Sequence, residues 1–349
     1  MRKERVENPD EIAELIRMAE RLARAHPCGI QMESWWLLPW LETLAQRPFA
    51  IVLREGNDIL ACGFFERREA SLALRGLIKK RILTFLSQGP TDFSDVLACP
   101  DVKPGDVART FAEALKGVPK VDEIRLEQFP GSSAFASPLS DAFGVKLQDW
   151  VRVYFADLRV GYEALWRGAG RNARRDIHKK ERKLRENFEV RYDVLKEADE
   201  ALISEMVSLN AKRRDRRSPF IGKRADFTLR MIRESQAKGR LLIFTMRADS
   251  SLISYRLGFL RDGIFWDWNT SYDPGLFELS PGKVHLAHAI RWCADAGLAE
   301  FNFMRGDEDY KRIWSTGYTM NRALALPLPT FRMRMVGAWA RKPPRMPQA

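Results

Sequence analysis

The sequence predicts an α/β (α+β) protein with two tandem lobes, each a mixed, mostly antiparallel sheet flanked by helices. Its 349 residues suffice for about two domains of ordinary size. Hydrophobic residues make up 45% of the composition, which excludes a disordered or fibrous chain. Both halves show the same coarse order of helices, an antiparallel meander, then a helix and a strand. The predicted lobes are residues 1–158 and 159–328, followed by a basic tail at 329–349.

The first lobe is predicted to begin with two helices, a charged amphipathic one at about 9–25 and a Trp-rich one at 31–44. The residues Gly56-Asn57-Asp58 are typical of a hairpin and separate two runs of strand-forming residues. The rest of the lobe follows from similar signals, with strands at 49–55, 59–67, 71–77, 82–89 and 123–129 and a helix at about 106–116.

The second lobe is predicted to begin with a long basic helix at about 162–187. Asp262-Gly263 is the strongest hairpin signal in the chain. A helix at about 282–296 lies between the last two predicted strands, so those strands should pair in parallel. The other elements are strands at 188–194, 241–247, 252–260, 263–270 and 300–304, and helices at 197–213 and 224–238.

The cysteines and the N-terminus restrict the kind of protein. Cys28, Cys62, Cys99 and Cys293 are far apart, which excludes a zinc knuckle and a C-x-x-C redox pair. The N-terminus lacks the apolar core of a signal peptide, and no run approaches the about 18 uncharged apolar residues of a membrane span. We therefore expect reduced thiols and a cytoplasmic protein.

The charge of the chain favours an anionic partner. The formal net charge is +12, and residues 167–185 hold nine basic and two acidic residues, a net charge of +7. Nucleotide phosphates, tRNA and anionic lipid headgroups fit this charge equally well. The alternative is a solvated basic helix face without a partner.

The segment SPGKVHLAHAI at 280–290 marks the start of a helix, with Ser280 as N-cap and Pro281 in its first turn. The free N–H groups of a helix start attract anions, and Gly282 would let a phosphate approach closely. Lys283 adds a mobile positive charge. The segment therefore suggests a pyrophosphate site, and the alternative is an ordinary helix cap with an exposed lysine.

The acidic loop at 306–310 follows a predicted buried strand and precedes a short helix. Asp307 or Glu308 could accept the proton of an attacking amine, directly or through water. Lys311 could neutralise a thioester oxyanion or a phosphate. The alternative is a solvated acidic turn that caps a helix, with Tyr310 packed in the core, and for Asp309 this alternative is preferred.

His285 and His288 are three positions apart on the predicted helix at 282–296, a spacing that suits a metal ion. No third ligand is near them in sequence, so we expect no metal. If the acidic loop takes no part in the chemistry, His285 and Asp267 are the next candidates for a base.

Four motifs point to one superfamily. They are Q-x-x-x-W-W at 31–36, R-N-x-R-R at 171–175, S-P-G-x-x-x-L at 280–286 and F-x-F-x-R-G-D-E-x-Y-K at 301–311. With these motifs, over about residues 30–325, the chain resembles the Fem-like branch of the GNAT acyltransferase superfamily. In particular, it is similar to acyltransferases of cellulose or exopolysaccharide biosynthesis.

The resemblance implies two GNAT-like lobes, with the thioester or aminoacyl donor bound in the second lobe at Ser280, Pro281 and Gly282, beside Lys283. The R-N-x-R-R motif implies binding of a substrate or anion by Arg171, Asn172, Arg174 and Arg175. The catalytic candidates are Glu308, Asp307, Lys311 and Tyr310. The chain departs from the common GNAT pattern because it lacks a full Q/R-x-x-G-x-G/A loop.

The Tyr310-Lys311 pair resembles the Phe-Lys pair of Fem-type aminoacyltransferases, which implies a donor-binding or oxyanion role for Lys311. Three functions remain open. The first is transfer from acyl-CoA, with an acetyl or longer group, to an amine of an envelope molecule, either an amino sugar of an exopolysaccharide precursor or a long-chain lipid amine such as a sphingoid base. The second is Fem-type transfer from aminoacyl-tRNA. The third is a non-catalytic protein that binds an anion or a membrane.

The expected partners follow from these functions. Acyl-CoA is the expected co-substrate, and the acceptor is a small-molecule or lipid amine. An anionic membrane surface is a further candidate partner, which would place the protein in the cytoplasm at the inner face of the membrane. A tRNA partner is expected only for the second function.

Overall fold

The computed structural model describes residues 2–73, 78–212 and 218–330. Contacts divide the chain into unit 1, residues 1–151 with 320–349, and unit 2, residues 152–319. The predicted tail lies outside the described residues from residue 331 onward. No helix in the described ranges is long and apolar enough to cross a membrane.

The helices are α1 (Pro9–Met18), α2 (Glu20–Ala25), α3 (Ser34–Thr43), α4 (Pro104–Lys116), α5 (Ala136–Phe143), α6 (Tyr162–Gly168), α7 (Arg171–Asn187), α8 (Glu200–Ala211), α9 (Lys223–Ala237), α10 (Pro281–Asp295) and α11 (Asp309–Trp314). The strands are β1 (Arg2–Val6), β2 (Pro48–Glu55), β3 (Asp58–Ala73), β4 (Ile78–Phe85), β5 (Leu97–Ala98), β6 (Glu123–Phe129), β7 (Gln148–Asp157), β8 (Val190–Leu195), β9 (Leu241–Ala248), β10 (Ser251–Arg261), β11 (Ile264–Tyr272), β12 (Glu300–Arg305) and β13 (Gly317–Pro327).

Unit 1 contains the strand order β1-β2-β3-β4-β6-β13, with β5 paired to β3. All neighbours pair antiparallel except β4 and β6, which are parallel. The chain crosses between these two strands through α4. The core beneath α4 is aromatic, because Phe65 stacks on Phe49 and Phe85 and also contacts Phe111 of the helix.

Unit 2 repeats this succession of pairing directions with the order β8-β9-β10-β11-β12-β7. Its neighbours are antiparallel except β11 and β12, which are parallel and connected through α10. The last strand of each unit comes from a distant part of the chain, β13 in unit 1 and β7 in unit 2. Two tandem lobes with mixed, mostly antiparallel sheets are therefore confirmed, as is the parallel pairing predicted from the helix at 282–296.

The boundary between the units lies at 151/152, not at the predicted 158/159. The reason is that Val153 to Asp157 of β7 pair with β12, which places them in unit 2. Residues from 320 onward belong to unit 1 because β13 pairs with β6. The second lobe, predicted at 159–328, is unit 2 at 152–319, so both of its predicted limits lie too far toward the C-terminus.

Three predicted elements differ from the observed ones. The helix at 162–187 is two helices, because Gly170 between them has φ 83, a left-handed conformation that glycine adopts readily. The helix at 9–25 is also divided, into α1 and α2. Residues 71–73 of the predicted third strand continue β3, and residues 74–77 lie outside the described ranges.

Candidate active site

The parallel strands β11 and β12 pair over only three positions, from Ile264 with Glu300 to Trp266 with Asn302. Beyond Trp266, β11 stays paired with β10 as far as Tyr272. The pairing of β12 with β7 shifts its register near Met304, whose φ is 58. A shift of this kind bends a strand away from its partner. From this point the chain leaves β12 into α11, while β11 leads to α10.

A cleft of about 730 Å³ lies in unit 2 between the start of α7, the first turns of α10 and the helix α11. Three of the predicted motifs meet here. The R-N-x-R-R motif contributes Arg171 and Asn172, the helix start at 280–286 contributes Lys283, and the motif at 301–311 contributes Tyr310. These are the predicted site residues that line the cleft.

The rim of the cleft is basic at the start of α7. Gly170 is the N-cap of this helix, and no side chain caps its first turn. The first N–H groups of such a helix lack partners within the helix and carry partial positive charge. Arg171 and Lys283 add two formal charges, although the Lys283 Nζ pairs with Asp176 Oδ2 at 3.1 Å. This end of the cleft suits an anion.

The walls of the cleft are apolar. Ile177 of α7, Leu286 of α10 and Ile313 of α11 line it, together with Trp314 and two alanines. Trp314 is buried and its ring lies 5.7 Å from that of Trp166. The cleft therefore combines an apolar interior with a basic rim, which suits a ligand with a charged end and a hydrocarbon part.

Tyr310 is a polar group in the wall that α11 contributes to the cleft. Burial raises the pKa of Tyr310 well above its ordinary value. The phenol therefore stays protonated at neutral pH. A protonated phenol in a cleft is a hydrogen-bond donor.

Two carboxylates line the cleft, Asp176 and Asp309. Asp176 is engaged by Lys283. The side chain of Asp309 is 94% exposed, and its nearest ionic partner is Arg312 at 3.5 Å. The expectation that Asp309 is solvated is met, but its place beside Tyr310 also makes it the more available proton acceptor in the cleft.

Asp307, by contrast, binds neighbouring side chains and does not line the cleft. Its carboxylate accepts from Arg312 Nε at 3.0 Å and from the Tyr154 hydroxyl at 2.5 Å. The hydrogen bond from Arg312, followed by that from Tyr154, lowers the pKa of Asp307 to about 2. A carboxylate with so low a pKa is a poor base near neutral pH. We therefore correct the expected role of Asp307 from base to the attachment of α11 to β7.

Replacing Asp307 by Asn should leave turnover nearly unchanged and lower the melting temperature at neutral pH. The pKa of Asp307 is about 2 in the fold, below its ordinary value of 3.8. The ionised carboxylate therefore stabilises the fold fully at pH values above 3.8. This stability is lost as the pH falls through about 2. Melting temperatures of wild type and variant should therefore converge at acid pH. A constant difference, or a large loss of turnover, would contradict this role.

Glu308 and Lys311 hold the loop that precedes α11. Lys311 is buried, and its Nζ donates to the Arg305 carbonyl at 2.6 Å and pairs with Glu308 Oε2 at 2.9 Å. Gly306 has φ 126, and a Cβ there would overlap Glu308 Oε2. Neither Glu308 nor Lys311 lines the cleft. The oxyanion role expected for Lys311 and the base role expected for Glu308 remain predictions, and the contacts of both side chains favour a structural role in the loop.

The start of α10 is packed more tightly than the sequence suggests. Ser280 has φ 46, and its hydroxyl donates to the Phe277 carbonyl at 3.4 Å instead of capping the helix. Pro281 is buried, and a Cβ on Gly282 would lie 3.1 Å from Tyr272 Cδ1. The side of Gly282 on which a side chain would project is therefore covered by the ring of Tyr272. Of the four predicted donor-binding residues, the cleft includes Lys283 alone.

The remaining candidates lie away from the cleft. Arg175 is exposed on α7 and Arg174 is half-buried. His285 is buried against Ser254 Oγ at 2.9 Å, and burial lowers its pKa well below the ordinary value, so it is neutral in the core. His288 instead contacts Glu181 of α7 at 2.9 Å. Within the described ranges, no group of three or more His, Cys, Asp or Glu side chains could hold a metal ion.

Comparison with known families agrees with this geometry. Residues 171–312 match the model of a family described as an acetyltransferase (GNAT) domain. The matched residues lie within unit 2. The match begins at α7 and ends within α11, so it includes most of the residues that line the cleft. A search of curated protein sequences finds no match.

Solved structures share the fold over nearly the whole chain at low identity. FemX is 8% identical with a TM-score of 0.60, covering 97% of this chain and 100% of its own. The C-terminal domain of a putative lysylphosphatidylglycerol synthetase from Agrobacterium fabrum is 10% identical with a TM-score of 0.58, covering 95% and 96%. A tandem GNAT protein from the clavulanic acid biosynthesis pathway is 11% identical with a TM-score of 0.50, covering 93% and 98%.

At these identities the likeness concerns the fold alone. The family match supports acyl transfer as the class of reaction, and the solved structures show a shared fold. They do not support the narrower branch of cellulose and exopolysaccharide biosynthesis expected from the motifs.

Proposed function

We propose that this protein is an acyl-CoA-dependent N-acyltransferase that acylates an amine of an envelope molecule, with its chemistry in unit 2. The observation that carries the proposal is the cleft of about 730 Å³, where a basic rim, apolar walls and Tyr310 face one space. The GNAT domain supports acyl transfer as the class of reaction.

The donor is best accommodated with its phosphates at the rim. Arg171, Lys283 and the first N–H groups of α7 are the groups of the cleft that suit phosphate oxygens. Asp176 now holds the Lys283 ammonium at 3.1 Å, so a phosphate would compete with this carboxylate. Donor binding should therefore release the contact between α7 and α10 at this point.

The acceptor is best accommodated as an amphipathic amine. An amino sugar or exopolysaccharide precursor would bring several hydroxyl groups, and burying these without partners is costly. The aliphatic walls of Ile177, Leu286 and Ile313 offer such groups no side-chain partner. A long-chain lipid amine, such as a sphingoid base, buries hydrocarbon there instead. We therefore favour the lipid amine among the envelope acceptors.

The reaction forms a bond between the amine nitrogen and the thioester carbon and breaks the C–S bond, whose electron pair leaves with sulfur. A nitrogen that arrives as ammonium loses two protons on the way to the amide, one to a base before attack and one after attack, and the leaving thiolate gains one. We assign Asp309 to accept the proton of the amine, directly or through water. Tyr310 donates a hydrogen bond to the leaving sulfur and so stabilises its developing charge.

A matrix of donors and acceptors tests the proposal. Acetyl-CoA, a long-chain acyl-CoA and an aminoacyl-tRNA are each offered with a sphingoid base and with glucosamine, and both free thiol and product mass are measured. We expect turnover with acyl-CoA and the sphingoid base. Transfer from aminoacyl-tRNA alone would establish the Fem-type alternative. Binding of the donors without any product would establish a non-catalytic protein.

An exposed row of basic side chains along α7 supports an additional partner. This basic stripe consists of Arg171, Arg175, Lys179, Arg182 and Lys183, all exposed. Arg182 pairs with Glu186 at 3.5 Å, whereas the other four form no ion pair with any described residue. A tRNA would be one suitable polyanion. We propose an anionic membrane surface at the cytoplasmic face instead, because Arg171 joins the stripe to a cleft that suits a lipid amine.

Reversing three charges of the stripe should weaken vesicle binding by more than about 10²-fold, since each basic residue near an anionic surface contributes about 1 kcal/mol and each introduced glutamate is also repelled. The variant is Arg175→Glu, Lys179→Glu and Lys183→Glu, measured by sedimentation with phosphatidylglycerol vesicles at low and physiological salt. The control, with the same change in net charge, is Arg224→Glu, Arg233→Glu and Lys238→Glu, all exposed in unit 2. Equal losses of vesicle binding in the two variants would show that only the net charge of the protein matters. Binding that does not depend on salt would exclude an electrostatic contact between the stripe and the membrane.

A further inference from the structure

A short turn, Pro274–Leu279, leads from β11 into α10 and carries an exposed phenylalanine. The side chain of Phe277 is 65% exposed, the highest value among the exposed large hydrophobic side chains of the described ranges. One exposed hydrophobic side chain is ordinary by itself. Here two others are close by, because the exposed Tyr272 covers the first turn of α10 and the exposed Ile313 lines the cleft. Exposed apolar side chains therefore adjoin both the start of α10 and the cleft.

The turn is fixed to the body of unit 2 on both sides of Phe277. Leu276 and Leu279 pack against the core cluster that contains Leu184 of α7. The Phe277 carbonyl accepts a hydrogen bond from Ser280 N at 3.0 Å, which joins the turn to the start of α10. Because the neighbours of Phe277 point into the core, the exposure of its ring follows from the fold.

The turn lies against α7, the helix that carries the basic stripe. Lys180 of α7 donates from Nζ to the Glu278 carbonyl. Lys183 of the stripe follows Lys180 by three positions, and residues three apart are neighbours on a helix surface. Phe277 is thus an exposed apolar side chain beside a row of cations. Surfaces that bind membranes at the interface combine these two features, since the apolar side chain enters the headgroup region and the cations attract anionic lipids.

We propose that Phe277 is the apolar anchor with which this protein enters an anionic membrane surface, and that the anchored turn holds the cleft against the lipid. The inference rests on the membrane partner proposed above, and it adds the segment that enters the bilayer and the side from which the acceptor arrives. α10 begins at Pro281, directly after the turn, and Lys283 in its first turn lines the cleft. A lipid amine can then pass from the membrane into the cleft without crossing bulk water.

A second copy of this chain is the alternative occupant of this surface, and the charges argue against it. In a symmetric dimer the same patch of both copies meets itself, so a contact through the turn would bring two basic stripes together. The chain already carries a formal net charge of +12. Like charges that face each other disfavour such a contact, whereas an anionic bilayer is attracted by them.

The test measures binding of the variant Phe277→Ala to vesicles of phosphatidylglycerol and phosphatidylcholine by sedimentation. We expect the affinity to fall about tenfold, because transfer of a phenylalanine side chain out of water is strongly favourable. This loss should persist at physiological salt, since salt screens the charges of the stripe and not an apolar contact. Glu278→Gln should strengthen binding several-fold, because the exposed carboxylate beside Phe277 is repelled by the same lipids.

The matched control moves the phenylalanine instead of removing it. In the variant Phe277→Ala with Val160→Phe, the new ring replaces a side chain that is 52% exposed in the turn Leu158–Val160. Leu158 N donates to the Ala299 carbonyl at 2.9 Å, and Ala299 lies beyond the C-terminal end of α10. The second turn is therefore at the opposite end of α10 from Phe277. We expect the affinity of this variant to stay as low as that of Phe277→Ala.

Restored affinity in the control variant, or unchanged affinity in Phe277→Ala, would overturn the anchor and leave the membrane partner in place. A dimer in sedimentation velocity that Phe277→Ala dissociates would assign the surface to a second copy instead. If the wild type binds no anionic vesicle, the proposed membrane partner fails and the inference fails with it. These measurements need no substrate, so their outcome does not depend on whether acyl transfer is observed.

Discussion

Replacement of Tyr310 by Phe should lower kcat by about 10²-fold or more, with little change in KM for the thioester. The phenol lines the cleft, and burial keeps its pKa high, so it serves as a donor to a charge that develops only as the C–S bond breaks. Removing one donor to a developing negative charge costs about 10²- to 10³-fold in other enzymes. An interaction absent from the ground state changes kcat more than KM.

The measurement is steady-state kinetics with acyl-CoA and a lipid amine. Tyr272→Phe is the matched control, because Tyr272 lies in unit 2 on β11 and does not line the cleft. A further comparison uses donors with thiols of different acidity. If Tyr310 acts on sulfur, the variant should be slowest with the poorest leaving group. Equal losses of kcat for all donors, or a normal kcat, would show that Tyr310 lines the cleft without acting on the leaving sulfur.

Replacement of Asp309 by Asn should lower kcat/KM by about 10²-fold, the lower end of the range for a positioned base, because the carboxylate is exposed. Amines arrive protonated near neutral pH, so a base must act before or during attack. In the variant the amine must lose its proton to water, and the ascending limb of the pH profile should move to higher pH. The readout is kcat/KM between about pH 6 and pH 10 with the amine varied.

Glu308→Gln serves as the control for Asp309. This neighbour carries the same charge on an exposed side chain, yet it faces Lys311 and not the cleft. We expect a normal pH profile and a small fall in melting temperature. A pronounced loss of activity in Glu308→Gln, together with normal activity in Asp309→Asn, would show that Glu308 is the base, as the sequence predicted.

The sequence could not show which side chains of residues 308–314 face the cleft, and the reason is geometric. α11 begins at Asp309, so Asp309, Tyr310, Ile313 and Trp314 share the face toward the cleft. Lys311 lies on the other side, with Glu308 just before the helix. A helix of six residues has too short a pattern to reveal its face in advance. The sequence pointed to this loop, and the structure adds which of its side chains line the cleft.

The sequence was more informative where local signals are strong. Asp262-Gly263 correctly placed the hairpin between β10 and β11, and the helix start near 280 correctly implied the parallel pairing. The buried ion pair of Arg256 with Asp267, whose side chains are 3% and 2% exposed, was not predicted, although an arginine within a predicted core strand indicates a buried partner. The strands β7 and β13 were missed because their partners are far away in sequence.

The late position of β13 in the sequence also has a consequence for synthesis. Unit 1 begins at the N-terminus, yet its sheet lacks β13 until the ribosome has made residues 317–327, after the whole of unit 2. The edge of β6 that β13 will cover stays open throughout, and an open edge is a template for wrong pairing. A nascent chain stalled before β13 should therefore be sensitive to protease and to aggregation in its first half, although that half is the older part of the polypeptide.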